Sequence, residues 1–181
     1  ERKIIRLDPG FAFGTGSHPS TRLCIEALED APPIGEKVAD LGCGSGILSL
    51  AALKLGAEST YSVDTDSLAI SATKINFSLN DISQSLLNVY LGSIEELEFN
   101  IPNEKIDLML CNILAPVIKT LGSSFDKIVR EGGRVILSGL LIEQITEIKE
   151  FFSRLGWSVT STKTIDQWAS IVITRDSSQL N

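Results

Sequence analysis

Val38-Ala-Asp40-Leu-Gly42-Cys-Gly44-Ser-Gly46 is the stretch that decides the fold. An apolar run ends at an acid, glycines follow at alternate positions, and an apolar helical period opens at Ile47. A glycine cluster between a strand and a helix marks the first crevice of a doubly wound sheet, where ligands bind beyond the strand carboxyl ends. Glycine lets the backbone turn sharply there and approach a ligand closely. Two phosphate-binding readings fail. Ile47 stands where a dinucleotide fingerprint needs its last glycine, and no Gly-Lys-Ser/Thr follows for a P-loop. Glycines alone also suit a tight turn without a ligand, so the neighbouring sequence has to decide.

Working outward, Lys37–Leu41 reads as a strand and Ile47–Leu55 as a helix stopped by Gly56. Thr60–Val63 is a second strand ending at Asp64. Asp66 then caps a helix through Asn80, with Leu68, Ala72, Ile75 and Leu79 on one face. Leu87–Leu91 and Ile106–Cys111 are strands separated by a polar, acidic connection, Gly92–Lys105. Val117–Val129 is helical and broken by Gly132-Gly133, Arg134–Leu137 is a strand, and Ile142–Leu155 is an amphipathic helix. Trp157–Thr162 and Ala169–Thr174 are strands only six residues apart, too close for a crossover helix and therefore antiparallel. The expected fold is α/β: a doubly wound, mostly parallel, seven-stranded sheet with one antiparallel strand in a C-terminal hairpin.

The 181 residues, 43% of them hydrophobic, suit one domain that needs no covalent staple. Residues 1–36 read as a covering loop and leading helix, and residues 37–181 as the core. The opening Glu1-Arg-Lys and the single Met109 read as a fragment of a longer chain. No apolar run approaches ~20 residues, so no membrane partner is expected. The net charge of −7 argues against direct nucleic-acid binding. Cys24, Cys43 and Cys111, scattered and odd in number, fit a reducing, cytoplasmic compartment. His18 is the only histidine, and with no other ligand cluster no metal is expected.

Asp64 lies 22 residues after Gly42 at the end of the second strand, where a carboxylate accepts two hydrogen bonds from a ribose diol. Asp40 either orders the glycine loop through backbone amides or approaches a ligand ammonium. Before the first strand runs Asp8-Pro-Gly-Phe-Ala-Phe-Gly14-Thr15-Gly16-Ser-His18-Pro-Ser-Thr21. Its hydroxyls offer polar contacts, Phe11 or Phe13 an apolar cover, and Ser17 or Ser20 a cap for a helix over Thr21–Ala31. Asn112 ends the fourth strand on the same edge as Gly42 and Asp64. Its carbonyl accepts from a substrate amine or a cofactor ammonium, or the residue simply caps a turn. Asp107 lies roughly 16 Å back along that strand and is excluded from the chemistry. Cys43 and Cys111 read as small packing residues rather than nucleophiles, Trp157 and Trp168 as hairpin packing, and His18 as a loop or cap residue rather than a base.

The glycine loop resembles the first motif of class I S-adenosylmethionine-dependent methyltransferases. Together with Pro9–Thr21, Val63-Asp-Thr-Asp66, Asn112-Ile-Leu-Ala115 and the late Gln167-Trp168, it resembles the bacterial ribosomal protein methyltransferase family (PrmA), which modifies large-subunit protein eleven. The resemblance implies S-adenosyl-L-methionine as cofactor, with contacts at Thr21, Gly42, Asp64 and Asn112. Thr15, Gly16, Asp40 and Gly44 complete the candidate cofactor set, and Asn112 is the candidate catalytic residue. It also implies methyl transfer to lysine ε-amines and a terminal α-amine, and an N-terminal substrate-recognition domain to which nothing here corresponds. Ser17 and Ser20 replace threonines often found in the loop. The rivals are a methyltransferase for another protein or small-molecule amine, a nicotinamide dehydrogenase disfavoured by Ile47, and a binding module without turnover.

Overall fold

The computed structural model describes residues 2–8, 10 and 16–175. Phe11, Phe13 and Thr15, expected over a ligand, lie outside these residues.

Helix α1 (Pro19–Asp30) leads into β1 (Lys37–Leu41), α2 (Ile47–Lys54), β2 (Ser59–Asp64), α3 (Ser67–Leu79), β3 (Leu87–Leu91) and α4 (Ile94–Asn100). Then come β4 (Ile106–Asn112), α5 (Ala115–Leu121), α6 (Phe125–Ile128), β5 (Val129–Leu141), α7 (Ile145–Arg154), β6 (Trp157–Ile165) and β7 (Trp168–Arg175). The seven strands form one sheet in the order β3-β2-β1-β4-β5-β7-β6. β7 runs antiparallel to both its neighbours, and the other pairings are parallel. The doubly wound sheet with one reversed strand is as expected.

Central β4 is apolar and buried from Leu108 to Cys111 because both its faces are covered there. Leu108 and Leu110 point to one core with Cys24 and Leu28 of α1 and Leu48 and Ala51 of α2. Met109 and Cys111 point to the other, with Leu97 of α4, Ile118 of α5, Phe125 of α6 and Phe152 of α7. Trp157 is buried in that second core against Phe152.

Several boundaries differ from the sequence reading. The connection after β3 contains α4, whose Ile94 and Leu97 are buried while Glu95 and Glu96 occupy its positive first turn. The single helix expected over Val117–Val129 is divided at Gly122, where a Cβ would meet Phe151 and Phe152 at 2.7 and 3.0 Å. Gly132-Gly133 does not separate helix from strand. It lies within β5, where the pairing with β4 shifts register between Ile106 and Leu108. The hairpin strands extend to a turn of only Asp166 and Gln167. On α3 the apolar stripe is outside: Leu68, Ile75 and Leu79 are exposed, while Ala69, Thr73, Asn76 and Phe77 are buried.

Beneath the glycine loop, the 1%-exposed Asp40 accepts hydrogen bonds from the Ser49 hydroxyl (2.6 Å) and backbone N–H (3.2 Å). The Ser62 hydroxyl lies 2.8 Å from that of Ser49 and donates to it, since the Ser49 proton is engaged by Asp40. β1, α2 and β2 are thus tied by one buried chain. Burial pushes the Asp40 carboxyl up to about 6, outweighing the lowering by the Ser49 bonds. A folded-state value above the unfolded one means that the folded chain holds this proton more tightly. Its contribution is then lost as pH rises from about 4 through about 6. Urea unfolding of the wild type and Asp40→Asn should therefore show the stability of the wild type, relative to the variant, falling by ~2 kcal/mol between pH 4 and 7. A pH-independent difference would remove this group as the cause.

Candidate active site

The carboxyl ends of β1, β2, β4 and β5 open onto a cavity of about 1000 Å³, within the size range of ligand sites. Asp64 of β2, Gly42 after β1, Asn112 of β4, Gly139 of β5 and Trp168 of β7 line it in strand order. At ~4.8 Å per strand spacing, that row runs on the order of 20 Å.

The loop is held by three backbone donors. Gly42 and Cys43 N–H both donate to the Val63 carbonyl at 2.9 and 3.0 Å, and Gly44 N–H donates to Asp64 Oδ2 at 2.9 Å. Gly42, Gly44 and Gly46 have φ of 78°, 53° and 78°, left-handed values that favour glycine. A Cβ on Gly42 would stand 2.6 Å from Ile113 Cγ2, so the missing side chain permits the close approach of loop and β4. Asp64 Oδ1 accepts from Asp66 N–H at 3.0 Å, while Asp66 caps α3 through Leu68 N–H at 2.8 Å, as the spacing predicts. Each Asp64 oxygen accepts one of these backbone bonds and retains a lone pair for a vicinal diol, so the residues present fit a ribose-bearing cofactor.

Asp40 does not line the cavity. Its bonds to Ser49 favour the positioning alternative over contact with a ligand ammonium. Gly16 is also outside the lining; its φ is 84°, and a Cβ there would meet Ile47 at 2.8 Å. Thr21 and Asn112 share the cavity, with Asn112 Nδ2 donating to Thr21 Oγ1 over a long 3.4 Å. Ser138 anchors the same turn by donating to the Ser20 carbonyl at 2.9 Å. Asp107 sits at the opposite edge, bonded to Lys37 N–H and Arg130 Nε.

Neither Ser17 nor Ser20 caps α1. His18 does, its Nδ1 accepting from Ser20 N–H at 3.2 Å, with Pro19 at the first helical position. His18 Nδ1 also lies 2.8 Å from the Ser20 hydroxyl, so the N–H and the hydroxyl of Ser20 both engage this nitrogen. The His18 ring meets Trp168 edge-on at 4.6 Å. Trp168, read from sequence as hairpin packing, also lines the cavity. The signal was strand direction: β7 is reversed, so its first residue reaches the carboxyl edge, opposite Leu141. Gly139 was also missed. Its φ is 77°, and a Cβ there would lie 2.6 Å from the Ile113 carbonyl oxygen and 3.2 Å from Asn112 Oδ1.

The cysteines are buried and free. Burial pushes the Cys24 thiol up to about 12 and raises those of Cys43 and Cys111, which disfavours thiolate chemistry. Among the described residues no acidic, histidine or cysteine group is arranged to hold a metal, and no helix is long and apolar enough to cross a membrane.

The family model described as ribosomal protein L11 methyltransferase (PrmA) matches residues 1–176. A protein of that name from Parasynechococcus marenigrum is 53% identical over 175 residues, covering 97% of this chain and 61% of the relative. Another, from Prochlorococcus marinus, is 51% identical over 97% of this chain and 58% of its own length. The chain therefore spans about three fifths of the length of the curated relatives it matches. The crystal structure of a ribosomal protein L11 methylase from Lactobacillus delbrueckii subsp. bulgaricus superposes with a TM-score of 0.85 at 33% identity. That match covers 96% of this chain and 86% of the other.

Gly42→Ala combines a left-handed φ with a clash against Ile113. It should lower stability by about 1–3 kcal/mol in urea unfolding. A neutral substitution would mean that β4 yields freely at this contact.

Proposed function

Because the chain belongs to the ribosomal protein L11 methyltransferase (PrmA) family, we propose that it transfers methyl groups from S-adenosyl-L-methionine to lysine ε-amines and a terminal α-amine of the large-subunit protein L11. The observation that carries this reading is the single cavity shared by Asp64, Gly42 and Asn112. In this assignment residues 1–36 cover the cofactor and residues 37–181 form the core. The proposal puts the reaction in the cytoplasm, where ribosomal proteins are made, and needs no direct nucleic-acid contact.

When bound, S-adenosyl-L-methionine supplies an electrophilic sulfonium methyl. Asp64 accepts the ribose hydroxyls with the oxygen capacity left by Gly44 and Asp66. Gly42 and Gly44 admit the cofactor's amino-acid end, with Thr15 and Thr21 as the remaining contacts of the leading segment. Asn112 offers its carbonyl to the incoming amine and fixes its line of approach, a contribution of the kind that orientation makes in well-aligned reactions. A lysine amine, with a reference pKa of about 10.4, has to arrive neutral. Leu114, Val117 and Leu121 make that side of the cavity apolar, and desolvation there lowers an amine's pKa and releases its proton to solvent. No step requires His18 as a base.

Incubating the chain with methyl-labelled cofactor and isolated L11 should label lysine Nζ and the terminal amine. Label on other amine acceptors, with none on L11, would sink the acceptor assignment while leaving methyl transfer in place. Asp64→Ala should weaken S-adenosylhomocysteine binding by ~1.5–3 kcal/mol in calorimetry. Asn112→Ala should reduce turnover more than cofactor affinity. Equal losses would make Asn112 a cofactor ligand alone.

A further inference from the structure

The inner face of α3 carries Thr73, Asn76 and Asn80, one helical turn apart, where an ordinary surface helix would place its leucines. Asn76 and Asn80 are 1% and 3% exposed, so their amides require partners. Thr73 donates to the Gly44 carbonyl at 3.1 Å, and Asn76 Nδ2 donates to the Ser45 carbonyl at 2.8 Å. Consecutive carbonyls of the glycine loop are thereby turned toward α3. On its other side Asn76 Oδ1 accepts from Asp8 N–H at 2.7 Å. Asn80 exchanges a pair of bonds with the Arg6 backbone: Oδ1 accepts from its N–H at 2.8 Å, and Nδ2 donates to its carbonyl at 2.6 Å. Residues 6–8 are thus pinned along α3, with Ile5 and Leu7 packed against the core shared with α2. From there Asp8 Oδ1 accepts from the N–H of Gly10, a residue of the cavity wall.

We propose that Asn76 is a positioning residue that couples this N-terminal strap to the cofactor loop, an inference that rests on the cofactor reading above. Its amide is planar and its orientation is fixed at both ends. The Asp8 N–H requires the oxygen and the Ser45 carbonyl requires the nitrogen, so a flip breaks both bonds. A shift of the loop therefore moves the strap's acceptor, and a departing strap frees the amide that holds the loop. Binding at the loop and docking of the strap then strengthen each other, and the coupling is reciprocal. Asn is a poor helix former because its side chain competes for backbone groups, and here that competition is directed at two other segments.

The test uses the full 181-residue chain, calorimetric titration with S-adenosylhomocysteine, and amide hydrogen exchange at Arg6 and Asp8. In the wild type, ligand should slow exchange at both amides. Asn76→Asp keeps an acceptor for Asp8 N–H but sets a carboxylate oxygen against the Ser45 carbonyl. It should bind about tenfold more weakly, with the ligand-induced protection of Arg6 and Asp8 abolished. A purely structural role predicts lower stability with that protection intact. A cooperatively folded Asn76→Asp with wild-type affinity and wild-type ligand-induced protection would overturn the proposal. So would wild-type binding that leaves Arg6 and Asp8 exchange unchanged. Should Asn76→Asp fail to fold, Asn80→Asp decides: faster Arg6 exchange with weaker binding supports the coupling, and faster exchange with unchanged affinity refutes it. A wild-type chain that does not bind the ligand removes the cofactor reading itself, a result distinct from loss of coupling in a chain that binds.

Discussion

The hydrogen bond from Gly44 N–H to the Asp64 carboxylate is the constraint on which the site depends. It closes the glycine loop onto the end of β2, and it forms only because β1 and β2 are parallel and in a register that pairs Leu41 with Val63. The Val63 carbonyl, holding Gly42 and Cys43, completes the same junction. With the loop fixed there, α2 starts at Ile47 and the bare Cα of Gly42 accepts Ile113, the residue that follows β4. The loop then lies between Asp64 and Asn112, which line the cavity on either side of it.

Much of what stabilises this arrangement is polar and buried. Asp40, Ser49 and Ser62 tie the first two strands to α2, and Thr73, Asn76 and Asn80 tie α3 to the loop and the N-terminal strap. An unpaired buried amide costs about 1–3 kcal/mol, so each such group fixes geometry more sharply than an apolar contact of the same area. The consequence for α3 is an inversion of the usual pattern. Thr73, Asn76 and Asn80 face inward because backbone groups wait there, and Leu68, Ile75 and Leu79 are left outside.

That inversion shows where the sequence stopped being legible. Periodicity identified α3 and its Asp66 cap because both are local, but it did not tell that the face shared by Leu68, Ile75 and Leu79 is the exposed one. The short helix α4 was hidden because its length is only seven residues, too few for a clear period. The break at Gly122 depends on Phe151 and Phe152, which arrive from a helix distant in sequence.

The sequence by itself determined the alternation of strands and helices, the reversed last strand and the glycine loop, since each follows from local pattern and connection length. It also put Gly42, Asp64 and Asn112 on one edge, because every parallel strand ends on the same side of the sheet. Only the tertiary structure decided that Asp40 is buried beneath the loop rather than in the cavity. It alone decided that His18 caps α1, that Trp168 and Gly139 line the cavity, and that Asn76 joins two segments separated by more than thirty residues. Those outcomes depend on register and on which backbone donors and acceptors lie across a few ångströms of space, information that no local window of sequence contains.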